Sequence, residues 1–288
     1  MIDDATDPET RVVNAQRRVR GSGPILILAV LFVAATFLAW YFSWFGREIS
    51  DADVTKYLAD EKNPRHVQHA LLQIQQRIER SDPGVKQWYP QLIALSGSPE
   101  TEFRLTVSWV MGFDNKSQDF HQALLKLVKD EQPIVRRNAA LALVRFNDAS
   151  GREELLTVFQ PYAVRSPAAG TIASTLKPSS EIARGALLAR IQQTDGRVVE
   201  LRSPLPGKIN TISKQNASQV AIGDEVLSLN SDEGSVYEAL RGLALIAELG
   251  DVQAIESYAA REDASARVRQ QAQLTVKAIQ SREATSHD

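Results

Sequence analysis

Four histidines, His66, His69, His121 and His287, and no cysteine are all that this 288-residue sequence offers of imidazole and thiol chemistry. Without cysteine there are no disulfides, thiolate metal sites, Fe–S clusters or cysteine nucleophiles. His66 and His69 stand at i, i+3 on an expected helix, a spacing that presents two imidazoles to a metal, with Glu61 the nearest acid. No third ligand is evident, and exposed helix positions are the reading adopted. Asp119 and His121 flank an expected helix start, where an acid–base pair and a cap beside a surface ring are both open, the cap being adopted. The sequence holds no P-loop, no G-x-S-x-G and no paired dinucleotide glycines between a strand and a helix. No catalytic residue, metal ligand, cofactor or small-molecule substrate is expected, and the chain is read as non-enzymatic. With 33 Lys+Arg against 35 Asp+Glu, a net charge of −2, it has no basic field to hold nucleic acid.

The elements that would position any site begin with an apolar run. Pro24 to Phe45, PILILAVLFVAATFLAWYFSWF, carries no charge and is bounded by Arg20 and Arg47. As a helix it would reach about 33 Å, against a hydrocarbon core of about 30 Å. This predicts a transmembrane helix over 24–45 after a polar tail at 1–23. Trp40, Tyr41 and Trp44 gather where aromatic rings settle at lipid headgroups. Bulky residues stand where a cleaved signal peptide would need small ones. Arg17, Arg18 and Arg20 crowd the first flank, so the N-terminus is expected in the cytoplasm and the bulk in the periplasm, on a bacterial inner membrane. The run holds no His, Met or Cys, the usual ligands of haem.

Beyond the run an apolar i, i+4, i+8 stripe recurs: Phe103-Val107-Met111, Val135-Ala139-Leu143, Val236-Leu240-Ala244 and Val268-Ala272-Val276, with Val67-Leu71 continuing into Ile74 as an earlier copy. The spacings are 36 (67 to 103), 32 (103 to 135) and 32 (236 to 268). Stretches such as DEQPIVRRNAALALVRF (130–146) and EDASARVRQQAQLTVKAI (262–279) pair an acidic turn with a Val-Arg start and an Ala/Leu face. They resemble HEAT-type repeats. That resemblance implies helix pairs stacked into a solenoid, since one pair cannot bury its apolar face alone. The repeats are expected over 46–161 and 232–282, with a tail at 283–288.

Between them, over 162–231, Gly, Pro and β-branched residues replace the helical pattern, with short alternating runs such as Gly207 to Ile212. The segment is duplicated. Arg165-Ser-Pro-Ala-Ala-Gly170-Thr-Ile172 returns as Arg202-Ser-Pro-Leu-Pro-Gly207-Lys-Ile209, a shift of 37. Ile182-Ala-Arg-Gly185 returns as Val220-Ala-Ile-Gly223, a shift of 38. Two such halves resemble the biotinyl/lipoyl domain, a barrel-sandwich hybrid. In that family a lysine at the hairpin between the halves carries the cofactor. Here the hairpin is Gln193-Thr194-Asp195-Gly196-Arg197, and Lys177 and Lys208 lie elsewhere, so the resemblance implies an unmodified domain whose tip is Thr194, Asp195 and Gly196. The same unmodified domain follows an N-terminal anchor in membrane fusion proteins of export pumps, which usually open this hairpin into a long helical coil. Gly151 to Gln160 is expected to be the first helix of a repeat whose second helix is Val236 to Leu249, with the β segment in its loop.

The expected fold is multidomain α+β: a single transmembrane helix and an α-solenoid of HEAT-like helix pairs, interrupted by a small all-β barrel-sandwich hybrid insert. The expected function is that of a membrane-anchored scaffold or accessory subunit, bound to the bilayer and to the other subunits of an integral complex. Respiratory or photosynthetic complexes are the expected class, because they commonly carry such subunits. The alternative is a periplasmic adaptor of an export system, resembling the membrane fusion proteins.

Overall fold

The computed structural model describes residues 22–44, 49–174 and 176–286. It divides into two compact units, Met1–Ile49 and Ser50–Asp288. In the first, α1 spans Ser22–Trp44. Among the described residues no helix is long and apolar enough to cross a membrane. This overturns the expected transmembrane helix. Arg17, Arg18 and Arg20 lie outside the described residues, as does His287, and the side chains of Trp40, Tyr41 and Trp44 lie outside those described.

The second unit begins with α2 (Asp51–Leu58), α3 (Pro64–Glu79), α4 (Tyr89–Leu95), α5 (Thr101–Met111), α6 (Gln118–Leu127), α7 (Pro133–Arg145) and α8 (Arg152–Leu156). After eight strands come α9 (Glu233–Ile246), α10 (Val252–Ala259) and α11 (Ala266–Ser286). Local chemistry sets the starts. Ser50, Ser117 and Asp232 cap α2, α6 and α9 by accepting from the amides of Asp53, Phe120 and Ser235. Pro64 and Pro133 occupy first-turn positions, where a missing amide hydrogen costs nothing.

These helices pack as consecutive pairs, α2/α3, α4/α5, α6/α7, α8/α9 and α10/α11. The second members α3, α5, α7, α9 and α11 lie side by side in that order. Their stripes face the interior: Val67, Leu71, Ile74, Phe103, Val107, Met111, Val135, Ala139, Leu143, Val236, Leu240, Val268 and Ala272 are buried, while Ala244 and Val276 at the ends of the last two are partly buried. The helical region is therefore a stack of HEAT-like repeats. Neighbouring pairs supply the apolar contact that no single pair has alone. Close approach is forced at Gly242, where a Cβ would come within 3.0 Å of Leu155 and 3.3 Å of Val144.

One polar signature repeats with the stripe. The residue after Phe103, Val135 and Val268 is an arginine each time, and each guanidinium reaches back to the loop before its helix. Arg104 donates to the carbonyls of Ser98 (2.8 Å) and Pro99 (3.1 Å). Arg136 donates to those of Asp130 (2.9 Å) and Glu131 (3.2 Å), and Arg269 to those of Ala259, Arg261 and Glu262. Loop carbonyls lost from water are thus satisfied by a side chain that travels with the repeat. Arg104 also clamps Asp130, and Arg136 pairs with Glu154 at 2.7 Å.

The strands are β1 (Tyr162–Arg165), β2 (Gly170–Ala173), β3 (Glu181–Ile182), β4 (Leu187–Gln192), β5 (Val198–Arg202), β6 (Gly207–Ile212), β7 (Gln219–Val220) and β8 (Glu225–Ser231). They form two four-stranded antiparallel sheets, ordered β1-β8-β6-β3 and β5-β4-β2-β7. Advancing each strand of the first sheet by half the segment generates the second, so each sheet takes two strands from either half. No barrel is found. The pairing leaves two separate sheets over one shared core that includes Val164, Ile172, Leu188, Ile191, Leu201, Ile209 and Leu227. This corrects the barrel-sandwich expectation.

The duplicated motif is the device that locks the halves together. Ser166 donates its amide to the Asp224 carbonyl and accepts at its own carbonyl from Gly223, both at 2.8 Å. Ser203 repeats this with Ala186 (2.9 Å) and Gly185 (2.7 Å). Arg165 donates to the Gly223 carbonyl at 3.0 Å and Arg202 to that of Gly185 at 2.8 Å. Each half therefore holds the glycine turn of the other.

The β segment separates α8 from α9 in sequence, yet the two helices pack together around Leu155, Val158, Phe159, Val236 and Leu240. Arg184 of the segment grips Glu102 at the start of α5 with two hydrogen bonds of 2.7 and 2.9 Å.

Candidate protein-interaction surface

The three described histidines, His66, His69 and His121, each lie against an aromatic ring. His66 stacks on Tyr57 with ring centroids 4.4 Å apart and places Nδ1 2.8 Å from Asp60, while His69 lies 6.1 Å from the same ring. Among the described residues no group of three or more His, Cys, Asp or Glu could hold a metal ion. His121 stacks on Phe146 and meets Asp148, not Asp119, at 2.6 Å. Burial pushes the Asp148 carboxyl up, but hydrogen bonds from Ser150 and His121 outweigh it and hold the group below the ordinary carboxylate range. A depressed carboxyl stabilises the fold above its unfolded pKa of about 4, and that contribution is lost as pH falls through the folded value. Wild-type protein is therefore expected to lose more urea resistance between pH 7 and pH 3 than Asp148→Asn. Equal losses would show that this pair contributes no acid sensitivity.

The hairpin tip is equally plain. Thr194, Asp195 and Gly196 form the turn between β4 and β5, closed by the Gln193 amide on the Arg197 carbonyl at 2.9 Å. Gly196 has φ +87°, a left-handed conformation that glycine adopts without strain, and Asp195 pairs with Arg197 at 2.6 Å.

What distinguishes the surface is apolar area left open on the second-member helices. Leu72 of α3, Trp109 of α5, Leu245 of α9 and Leu274 of α11 are exposed, Trp109 by 41% and Leu245 by 59%. Trp109 stands two residues off the buried Phe103-Val107-Met111 stripe, so the rotation that buries the stripe turns the indole outward. One repeat later the equivalent position is Leu141, partly buried. A groove of about 400 Å³ opens between α5, α7 and α9, lined by Trp109, Asn138, Leu141, Arg145, Arg241 and Leu245 among others.

The groove has a fixed cation. The Arg145 guanidinium lies 4.3 Å from the centre of the Phe113 ring, which meets Trp109 edge-on at 4.7 Å. Arg241 pairs only loosely with Glu238, 3.3 Å away on its own helix. Tryptophan and arginine are the side chains most enriched among energetically dominant interface residues. Sequence reasoning passed over these residues because it sought the periodic apolar stripe. The available signal was the tryptophan out of phase with that stripe.

Comparison with known proteins agrees with the helical part. Residues 89–173, from α4 through β2, match the family model described as HEAT repeats. The last part of that match is strand in the structure. No curated protein matches. Among solved structures there is similarity to one described as "Structure and function of a single-chain, multi-domain long-chain acyl-coa carboxylase", at 18% identity and a TM-score of 0.24. The similarity covers 31% of this chain and 10% of that chain.

Proposed function

We propose that this chain is a non-catalytic scaffold or accessory subunit that binds another protein of a larger complex through the α5–α7–α9 surface. The observation that carries the reading is Trp109, exposed in an apolar groove of a repeat stack and backed by Phe113 and Arg145. A repeat stack provides extended docking surface, and large exposed aromatics beside Leu side chains are what interfaces bury. The tight β4–β5 turn favours this over the export-adaptor reading, which would use a long coil at that place. The expected partner class is an energy-transducing complex, respiratory or photosynthetic.

The test is affinity purification of tagged full-length protein from its native source, with wild type, Trp109→Asp and Leu245→Asp compared by mass spectrometry. A stoichiometric partner should accompany wild type and fall by at least about tenfold with either variant, as truncating a central anchor costs about 2 kcal/mol or more. Circular dichroism should stay unchanged, because both side chains point to solvent. Wild-type protein recovered alone, or a partner indifferent to both substitutions, would defeat the proposal.

A further inference from the structure

We infer that the groove between α5, α7 and α9 takes an amphipathic helix of a partner protein that carries carboxylates beside its apolar face. The inference rests on the reading of this surface as a protein-docking site, and adds what kind of segment docks. Three observations carry it. The floor is apolar, with Trp109, Leu141 and Leu245 running across three neighbouring helices. That geometry suits the apolar stripe of a helix laid into a groove, whose anchors recur at i, i+3 and i+4. The rim is cationic: it holds Arg145 and Arg241 against one acid, Glu238.

Arg145 is the decisive group. Among the described residues it pairs with no carboxylate, and the face of Phe113 holds its guanidinium at 4.3 Å. A cation held by a ring loses little further freedom when it engages a ligand, and a planar guanidinium fits a carboxylate with two parallel hydrogen bonds. Arg241 and Glu238 form an exposed pair on one helix, worth little and easily shared with an incoming acid. Phosphate would match the charge, but it leaves the tryptophan and leucines of the floor uncovered. An acidic helix with an apolar stripe satisfies both floor and rim.

The experiment is selection of a phage-displayed random library of peptides about 16 residues long on the full chain, long enough for about four helical turns. The best peptide is then titrated by fluorescence anisotropy against wild type, Trp109→Asp, Leu245→Asp and Arg145→Glu. Enriched sequences should be net acidic with apolar residues at i, i+3 or i+4. Binding should vanish with Trp109→Asp or Leu245→Asp, and weaken about tenfold or more with Arg145→Glu, the effect of reversing one charge at a docking rim. Hydrogen exchange should show protection at the C-terminal halves of α5 and α7.

The failures separate. Peptides that need Trp109 but are neutral or basic, or that ignore Arg145→Glu, would overturn the acidic helix and leave the docking surface standing. Peptides indifferent to both Trp109→Asp and Leu245→Asp would overturn both readings. A dimer in sedimentation velocity that Leu245→Asp dissolves would assign the groove to a second copy of this chain and overturn the partner helix.

Discussion

Arg104→Ala should lower the stability of the helical region by about 3–5 kcal/mol, the cost of breaking a buried ion pair by removing one partner. The guanidinium meets the Asp130 carboxylate with two hydrogen bonds, 2.7 and 3.1 Å, and also serves two loop carbonyls. Both side chains are more than nine-tenths buried, at 9% and 8% exposure. Burial pushes the Asp130 carboxyl up; hydrogen bonds from Arg104 and the Gln132 amide prevail and hold it below the ordinary range. In the wild type this pair therefore contributes stability above about pH 4 and loses it as pH falls through the folded value.

Without Arg104 the carboxyl loses the partner that favours its charged form, so ionised Asp130 contributes less to the fold. The gap between wild type and Arg104→Ala should accordingly be widest near neutrality and close on acidification. Urea midpoints from pH 7 down to pH 3 read both effects. A neutral-pH cost under about 1 kcal/mol would place the pair with ordinary surface ion pairs. A gap that stays constant with pH would remove Asp130 from the explanation. Arg104→Met with Asp130→Leu should recover part of the loss, because the desolvated charge is gone from both sides while the Ser98 and Pro99 carbonyls stay without their donor.

The repeats were legible because their physics is periodic. Phe103-Val107-Met111 and Val135-Ala139-Leu143 announce one buried face each, and both are buried. The Val-Arg start at Val135 and Val268 was visible, but the use of the arginine was not. The guanidinium of Arg269 satisfies three carbonyls of the preceding segment, a use that no local pattern states. The same limit hid the interaction surface. A period identifies the side a helix buries and is silent about what the other side gathers, so Trp109, Arg145 and Leu245 assemble only once three helices from distant stretches lie together. His121 illustrates the limit in another way. Its near neighbour in sequence was Asp119, but the partner is Asp148, brought from beyond α7. The duplication at 165–172 and 202–209 revealed two halves. That they exchange strands into two sheets is a property of pairing, which no local pattern states.

That exchange makes the second large effect a cooperative one. Gly207→Ala should destabilise the β segment by about 3 kcal/mol, at the upper end for overpacking. A Cβ on Gly207 would stand 2.3 Å from the carbonyl oxygen of Asn230 and 3.3 Å from its carbon. The obstacle is backbone of the paired strand β8, not a flexible side-chain end, so relief requires β6 and β8 to part. Gly170 faces the same obstruction in the other sheet, with Gln192 oxygen at 2.3 Å, and Gly170→Ala should cost a similar amount. Gly196→Asn at the open hairpin tip is the contrast. Nothing lies within 4 Å there and asparagine tolerates positive φ, so about 1 kcal/mol or less is expected. Because β6 and β8 share their sheet with β1 and β3 of the first half, forcing them apart removes pairing from both halves. Hydrogen exchange on Gly207→Ala should therefore show protection falling together across β1 to β8, while α2 to α7 keep theirs. Protection retained in β2 and β4 as β6 and β8 lose it would mean the halves fold independently, and the interlocking read from Ser166, Ser203 and their glycine turns would not be the source of stability.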